Sequence, residues 1–208
     1  MRTRLLVGRL AGPIALVLLP GVQYYTGQAF EIEAITLYAF STENWKRPKS
    51  EVSGLMTMLK RVLRRELEQV HGNNIRFRAI GDLAGLAPDV QQELAAATEK
   101  TRNNTGMVMS VALNYGGQHE IARAAAKAAA KGDVSIDSIG AELDTADLPP
   151  LDLLIRTSGE IRLSNFLLWQ AAYAELIFVD TLWPDFDERA FAAALDTFAS
   201  RQRRFGGR

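Results

Sequence analysis

The feature that most constrains the fold is the regular alternation of short apolar segments with longer amphipathic segments. Apolar runs rich in β-branched and aromatic residues predict strands, and they lie at 34–40, 75–80, 107–113, 152–156 and 176–179. Segments with apolar residues every three or four positions predict helices, and they lie at 51–70, 88–102, 118–131, 136–143, 164–173 and from 187 onwards. The spacings fit crossover connections, so we expect an α/β fold with a mostly parallel central sheet flanked by helices.

Local signals indicate where some of these elements begin. Ser50 is a suitable N-cap for the first helix, with Glu51 in its first turn, and Pro88 suits the first position of the second helix. Residues 1–33 mix glycine, proline, glutamine and tyrosine with apolar residues at no clear period. The pattern therefore assigns no helix or strand before Ala34.

The composition excludes several classes of function. The chain has 208 residues, which suits one domain, and its 24 basic and 24 acidic residues give a formal net charge of zero. No global basic field favours nucleic acid as a partner. Cysteine is absent, which excludes disulfides and thiolate chemistry, and two histidines are too few for a multi-histidine metal site. This composition is typical of an intracellular protein, and we expect a cytoplasmic location.

The longest apolar run, at 10–22, does not change that expectation. Two glycines and two prolines interrupt it, and it is too short to span a bilayer. Arginines precede it as in a signal peptide, but no convincing small-residue cleavage site follows. We therefore do not expect secretion.

Polar clusters directly follow three of the predicted strands, at 41–47, 114–119 and 156–164. Ligands of parallel sheets bind beyond the carboxyl ends of the strands, so we expect these clusters to form one active site. The first cluster holds two hydroxyls, a carboxylate, a carboxamide, an indole and two cations in seven positions. A loop that only reverses the chain would favour Gly, Asn, Asp and Ser, so this composition indicates chemistry.

Arginines in these clusters predict an anion-binding site. Arg47, Arg156 and Arg162, together with the hydroxyl of Ser164, offer planar donors that match phosphate oxygens. The alternative is a set of surface arginines in salt bridges worth about 0–1 kcal/mol each. Three arginines that follow parallel strands favour the anion site. No Walker-type or dinucleotide glycine-rich motif is present, so a nucleotide is not the expected ligand.

Glu175 lies in an apolar context, Ala-Tyr-Ala-Glu-Leu, where a carboxylate needs a partner. An arginine would serve, and so would Mg²⁺, which binds one or two carboxylates together with phosphate oxygens. Both alternatives stay open. His119, at a predicted helix start, is either structural or a donor to a bound anion.

An apolar ligand tail has candidate contacts as well. Trp45 and Phe40 are candidates to form its wall, whereas Tyr38 fits the core better. Residues on two helices would line a groove for the tail or would simply belong to the core: Leu55, Met56, Leu59 and Leu94. A site with an anion clamp and apolar helix faces indicates a ligand that is phosphorylated at one end and apolar along its length.

Six motifs together resemble those of the cis-prenyltransferases, and the similarity is closest to bacterial undecaprenyl diphosphate synthases. They are Ser-Thr-Glu-Asn-Trp-Lys-Arg-Pro at 41–48, Asn-Tyr-Gly-Gly at 114–117, Asp-Leu-Leu-Ile-Arg-Thr-Ser-Gly-Glu-Ile-Arg-Leu-Ser-Asn-Phe at 152–166, Gln-Ala-Ala-Tyr-Ala-Glu-Leu at 170–176, Trp-Pro-Asp-Phe at 183–186 and Arg-Arg-Phe-Gly-Gly at 203–207. The resemblance defines a cis-prenyltransferase domain at 32–208 and an atypical N-terminal segment at 1–31.

The resemblance implies a parallel α/β fold with a product tunnel, a homodimer, and a reaction. In that reaction, isopentenyl diphosphate units are added in cis to farnesyl diphosphate, which makes a polyprenyl diphosphate lipid carrier for the cell wall. It further implies Mg²⁺ as cofactor, held with the help of Glu175, and peripheral membrane contact for product release. Asn44 is the implied catalytic residue; because a carboxamide is a poor base, we expect it to orient the reactants rather than to take the proton. The implied substrate-binding residues are Ser41, Thr42, Glu43, Trp45, Arg47, Arg156, Arg162, Leu163 and Ser164.

One part of the family pattern is missing. Members begin with a motif resembling Met-Asp-Gly-Asn-Gly-Arg-Trp-Ala, whose aspartate holds Mg²⁺ on the allylic diphosphate, whereas the first aspartate here is Asp82. The first strand and helix are therefore expected to be altered. Three hypotheses follow: a prenyltransferase whose N-terminus was changed by a frameshift or wrong start, a non-catalytic partner subunit, or a phosphate-ligand binding protein without turnover. All three predict little elongation activity from this chain alone.

Overall fold

A six-stranded sheet forms the centre of the molecule. The computed structural model describes the backbone of residues 5–7 and residues 32–201; the apolar run at 10–22 and the motif at 203–207 lie outside them. The strands are β1 (Leu5–Val7), β2 (Ala34–Ser41), β3 (Arg76–Ile80), β4 (Val108–Tyr115), β5 (Leu153–Arg156) and β6 (Glu175–Phe178). Their order across the sheet is β3-β4-β2-β1-β5-β6, and every pairing is parallel. The predicted α/β fold with a parallel sheet is confirmed.

Five α-helices lie in the described part of the chain. They are α1 (Lys49–Gly72), α2 (Pro88–Thr101), α3 (Gly117–Ala130), α4 (Ile136–Ala141) and α5 (Glu188–Ala199). Each matches a helix expected from the apolar period, with ends that differ by a few residues. None of these helices combines the length and the apolar character that a membrane crossing requires.

The two faces of the sheet carry different cores because successive strand side chains point to opposite faces. On one face, Leu37, Val111 and Ile155 belong to a large cluster that takes in the buried stripes of α1, α2 and α5. On the other face, Tyr38 and Ala112 pack against the irregular segment after β5. Both faces are covered, which explains why the strands read as continuous apolar runs.

Two sequence expectations about helix and strand starts differ from the structure. The N-cap of α1 is Pro48, whose carbonyl accepts hydrogen bonds from the amides of Glu51 (2.9 Å) and Val52 (3.1 Å), so Ser50 lies inside the helix. The strand β1 falls where the pattern assigned no element. Three residues are too few to show a strand period, and β1 is defined by its pairing with β2 on one side and β5 on the other.

The helix predicted at 164–173 is wrong. Only a short 3-10 turn, Gln170–Tyr173, is present, and Ser164, Asn165 and Leu167 adopt left-handed backbone angles with φ of 50°, 63° and 44°. These angles are incompatible with an α-helix. Tertiary packing determines the conformation of this segment. Phe166 is buried against the sheet, and its ring stacks on that of Tyr38 with centroids 4.4 Å apart.

Candidate anion-binding site

Three loops meet beyond the carboxyl ends of β2, β4 and β5. Gly116 lies at their junction: a Cβ atom on it would stand 2.7 Å from Nδ2 of Asn165, 2.9 Å from Oγ1 of Thr42 and 3.2 Å from Nδ1 of His119. A side chain at this position would require these neighbouring side chains to shift, so glycine favours the close approach of the loops. The structure therefore brings the polar clusters at 41–47, 114–119 and 156–164 together at one edge of the sheet.

Asn165 connects the three loops, although the sequence analysis did not single it out. Its Nδ2 donates to Oε1 of Glu43 at 2.9 Å, and its Oδ1 accepts from the backbone amide of Gln118 at 2.9 Å. Its backbone carbonyl accepts from the amide of Gly117 at 2.7 Å. A signal was available, because asparagine tolerates the left-handed conformation that this position adopts.

The loop after β2 is held by its own amides and by the loop after β4. Oδ1 of Asn44 accepts a hydrogen bond from the backbone amide of Ser41 at 2.8 Å. Nε1 of Trp45 donates to Oδ1 of Asn114 at 2.7 Å, and its ring meets Phe40 edge-on with centroids 5.0 Å apart. The Asn44 side chain is thus held in one orientation by a backbone amide.

The three candidate arginines have different environments. Arg156 is 1% exposed at the end of β5, whereas Arg47 donates to Glu51 at 2.6 Å and Arg162 pairs with Glu160. No direct contact links one of these guanidinium groups to another among the hydrogen bonds and ion pairs of the described residues. The loops converge, and two of the three cations already have a carboxylate partner with which an incoming anion must compete.

The loop after β5 has an unusual backbone and unsatisfied hydroxyl groups. Ser158 and Gly159, like the positions described above, have positive φ, 72° and 66°. The side-chain oxygens of Thr157, Ser158 and Ser164 are buried and have no hydrogen-bond partner among the described residues. A buried, unpaired polar group costs about 1–3 kcal/mol, and strained backbone collects at functional sites. These hydroxyls can donate to the oxygens of a bound anion.

Glu175 has an arginine partner. Its Oε2 accepts from Arg201 at 2.7 Å, and the same guanidinium nitrogen donates to the carbonyl of Leu176 at 3.0 Å. The described residues contain no group of three acidic or histidine side chains that could hold a metal ion. One carboxylate alone fits Mg²⁺ only if diphosphate oxygens supply further ligands.

The apolar candidates divide between core and surface. Tyr38 is core, since it is 3% exposed and its hydroxyl donates to the carbonyl of Tyr115 at 3.1 Å. Trp45 is 43% exposed beside the loops and is available to a ligand. Leu163 is half-buried against the smaller core cluster. The four helix residues proposed for a groove, Leu55, Met56, Leu59 and Leu94, all pack in the larger cluster.

A buried carboxylate network supports the loops from behind. Glu120 is 1% exposed and accepts hydrogen bonds from the hydroxyl of Tyr115, from Nε2 of Gln170 at 3.1 Å and from the amide of Asp144 at 2.9 Å. Burial, and then the nearby Glu120 carboxylate, raise the pKa of Tyr115 far above its ordinary value. Tyr115 therefore remains a hydrogen-bond donor, and Glu120 ties α3 to the segment after β5.

The carboxylate of Glu43 should contribute stability that depends on pH. Partial burial acts to raise its pKa, but the hydrogen bond from Asn165 and a backbone amide outweigh it and lower the pKa below the ordinary 4.5. A lowered pKa stabilises the fold above the unfolded-state value and loses that effect as the pH falls. In urea unfolding at pH 7, we expect the free energy of unfolding of wild type to exceed that of Glu43→Gln. The difference should shrink below about pH 4.5. A difference that does not change with pH would contradict this assignment.

Known proteins resemble this chain in sequence and in fold. Residues 23–206 match the profile of a prenyltransferase family described as "Putative undecaprenyl diphosphate synthase". The chain is 51% identical to an isoprenyl transferase of Agrobacterium fabrum, over 84% of this chain and 74% of that protein. It is 49% identical to a ditrans,polycis-undecaprenyl-diphosphate synthase (farnesyl-diphosphate specific) of Vibrio vulnificus, over 84% of this chain and 73% of that protein. A crystal structure of a probable undecaprenyl diphosphate synthase from Campylobacter jejuni superposes with a TM-score of 0.89 and 35% identity, over 99% of both chains.

Proposed function

Because this chain belongs to the undecaprenyl diphosphate synthase family of cis-prenyltransferases, we propose that its site serves the addition of isopentenyl diphosphate to farnesyl diphosphate. The product is a polyprenyl diphosphate that acts as a lipid carrier. The observation that carries the proposal is the loop after β5, where buried hydroxyls without partners adjoin the buried Arg156. Such a set of donors suits the oxygens of a diphosphate.

The isopentenyl diphosphate would bind on the β5 side of the site. Arg156 and Arg162 are the cationic donors, Ser164 supplies a hydroxyl, and Leu163 contacts the apolar part of the substrate. To bind, the diphosphate takes the place of Glu160 beside Arg162. The matching of planar guanidinium groups to phosphate oxygens gives this half of the site its specificity.

The loop after β2 would position the reacting ends. In the reaction, the terminal alkene carbon of isopentenyl diphosphate bonds to the allylic carbon, diphosphate leaves with its electron pair, and a proton is lost as the new cis double bond forms. Asn44 orients the reactants for that proton loss, because its amide is already fixed by Ser41. Trp45 covers the apolar chain. Three neighbours complete the loop's contacts with substrate: Thr42, Glu43 and Arg47.

A divalent cation, a second subunit and a membrane complete the proposal. Mg²⁺ would neutralise charge on the diphosphates; Glu175 would help to hold it once Arg201 releases that carboxylate. The chain would act as a homodimer, and the exposed apolar side chains of Ile161, Tyr173 and Leu182, at 79%, 76% and 55% exposure, are candidates for contact with the second subunit. We place the protein in the cytoplasm, with peripheral membrane contact when the product leaves.

A specific observation favours a second candidate function. The first aspartate of the sequence is Asp82, so no aspartate in residues 1–81 can hold Mg²⁺ on an allylic diphosphate. The chain would then bind isopentenyl diphosphate as a catalytically impaired or non-catalytic partner subunit, or as a binding protein without turnover. We also propose that residues 1–31 are an atypical segment, which supplies the strand β1 to the sheet of the cis-prenyltransferase domain at 32–208.

Labelled isopentenyl diphosphate separates these functions. With farnesyl diphosphate and Mg²⁺, we expect little polyprenyl product from this chain alone. The reason is that residues 1–81 contain no aspartate to hold Mg²⁺ on the allylic diphosphate. Equilibrium binding of isopentenyl diphosphate, measured by calorimetry, should nonetheless be retained. Product on mixing with a homologue that carries the aspartate favours the partner subunit. Binding without turnover in any pairing favours the binding protein, and robust product from the chain alone would contradict the expectation of low activity.

A further inference from the structure

A single 3-10 turn carries most of the residues that the proposed function assigns to the loop after β2. The turn runs from Thr42 to Lys46 and contains Glu43, Asn44 and Trp45, and none of its five residues is buried. A segment without buried side chains takes its position from hydrogen bonds more than from core packing. The bonds between this turn and its neighbours therefore decide where Asn44 and Trp45 stand.

Asn165 ties the turn to the loop after β5. Its Nδ2 donates to Oε1 of Glu43 at 2.9 Å. In the described part of the chain, no other hydrogen bond or ion pair joins positions 157–167 to positions 41–47. The acceptor is a carboxylate, and a hydrogen bond to a charged group is stronger than one between neutral groups. This bond is thus the direct polar connection between the two loops.

The other polar atoms of Asn165 are anchored to α3. Its Oδ1 accepts from the backbone amide of Gln118 at 2.9 Å, and its carbonyl accepts from the amide of Gly117 at 2.7 Å. Both amides lie in the first turn of α3, where a helix has no carbonyl of its own to offer them. Asn165 is therefore fixed on α3, with its Nδ2 directed at Glu43.

The residue before Asn165 belongs to the proposed isopentenyl diphosphate side of the site. The Ser164 hydroxyl is buried and has no hydrogen-bond partner among the described residues. Ser164 and Asn165 both adopt left-handed backbone angles, and the next residue, Phe166, is 1% exposed. Residues other than glycine keep such angles only where their surroundings fix them. The Ser164 hydroxyl and the Asn165 amide are therefore positioned together.

We infer that Asn165 is a positioning residue for the reaction, an inference that rests on the proposed function. Through Glu43 it holds the 3-10 turn, with Asn44 and Trp45, in place. Because Asn165 also follows Ser164 directly, it aligns the turn with the diphosphate of isopentenyl diphosphate. Linkage makes this effect reciprocal, so a diphosphate bound at Ser164 should stabilise the turn on the opposite side of the site.

The variant Asn165→Asp breaks this connection selectively. Aspartate tolerates the left-handed backbone and keeps both acceptors for α3, but it has no N–H for Glu43 and places a second carboxylate beside it. The double variant with Glu43→Gln and Asn165→Asp restores the bond in the reverse direction, because glutamine donates to aspartate. Its formal charge equals that of wild type, so it also controls for repulsion between the new aspartate and the diphosphate.

Acrylamide quenching of tryptophan fluorescence measures the connection without turnover. Trp45 is 43% exposed, and Trp45→Phe identifies its share of the signal. We expect saturating isopentenyl diphosphate to protect Trp45 from the quencher in wild type. The protection should be absent from Asn165→Asp and return in the double variant. A purely structural role of Asn165 would change the free energy of unfolding but leave the protection at saturation intact.

Calorimetric titration gives the second readout. Isopentenyl diphosphate should bind to Asn165→Asp about tenfold more weakly than to wild type, as the loss of one hydrogen bond to a charged group predicts. The double variant should recover most of this affinity. Gln118→Ala is the matched control: it removes an exposed side chain beside Asn165 but keeps the backbone amide that Asn165 accepts from, so both readouts should equal those of wild type. Glu43→Ala breaks the same bond from the other loop and provides the test if Asn165→Asp does not fold.

The outcomes separate this inference from the proposed function. Equal protection of Trp45 in wild type and Asn165→Asp would overturn the positioning role, and so would a double variant that regains no protection. Binding of isopentenyl diphosphate to wild type without any protection of Trp45 would overturn it as well. All three results leave the proposed function intact. No binding of isopentenyl diphosphate to wild type overturns the proposed function together with this inference.

Discussion

Replacement of Arg156 by alanine is expected to weaken isopentenyl diphosphate binding by roughly a hundredfold or more, because hydrogen bonds between charged groups contribute about 1.5–3 kcal/mol each. Arg156 is 1% exposed and directly precedes the loop that holds the unpaired hydroxyls. Since the guanidinium is covered in this structure, contact with a ligand requires neighbouring groups to move. The measurement is calorimetric titration with isopentenyl diphosphate, which does not depend on turnover.

Arg156→Lys is the matched control for this prediction. Lysine keeps the charge but lacks the planar fork, so we expect it to recover only part of the lost affinity. Arg78→Ala removes a partly exposed arginine at the far edge of the sheet, where it donates to the carbonyl of Asp144 at 2.6 Å, and should leave binding unchanged. Undiminished binding by a folded Arg156→Ala protein would show that Arg156 does not bind the diphosphate.

Replacement of Glu120 by alanine is expected to lower the free energy of unfolding by about 3 kcal/mol or more. The substitution leaves the Tyr115 hydroxyl, the Gln170 amide and the Asp144 backbone amide without their acceptor, and each unsatisfied buried group costs about 1–3 kcal/mol. All three donors contact this one carboxylate. Urea unfolding followed by circular dichroism gives the value.

Glu120→Gln tests whether the acceptor geometry or the charge matters more. Its carbonyl oxygen keeps one acceptor position, so the loss of unfolding free energy should be smaller than in Glu120→Ala. Most of that loss should come from the hydrogen bonds to the carboxylate oxygen that glutamine replaces. Thr145→Ala removes only a hydroxyl that accepts from Gln170 at 2.8 Å, and a loss near 1 kcal/mol is expected. If Glu120→Ala lost no more than Thr145→Ala, the network would not be a stabilising unit.

Local patterns sufficed for most of the fold. The strands β2 to β6 and the helices have apolar periods long enough to be recognised, and the parallel order follows from the spacing between them. The meeting of the polar loops was also predictable, because it needs only the rule that parallel strands end at one edge. The contact between Thr42 and the junction at Gly116 illustrates that rule.

Other parts depended on contacts that no local pattern contains. The segment that holds Phe166 resembles a helix in composition, but Tyr38 and Asn165 fix it in left-handed turns. The choice of Arg201 as partner of Glu175 depends on where α5 ends in space. The role of Glu120 was hidden inside an alanine-rich helix whose sequence indicates nothing about its buried partners.

The central position of β1 has a mechanical consequence for the site. In the described residues, β1 joins two sub-sheets, β3-β4-β2 and β5-β6, through one register point at Val7 with Leu37 and three with β5. The first sub-sheet carries the loops with Asn44 and Asn114, and the second carries Arg156. A slip of a single residue along this seam would offset one half of the binding pocket from the other by about 3.3 Å. Alignment of the Asn44 amide with Arg156, the two groups proposed to act on the substrates, thus depends on the register of this tripeptide.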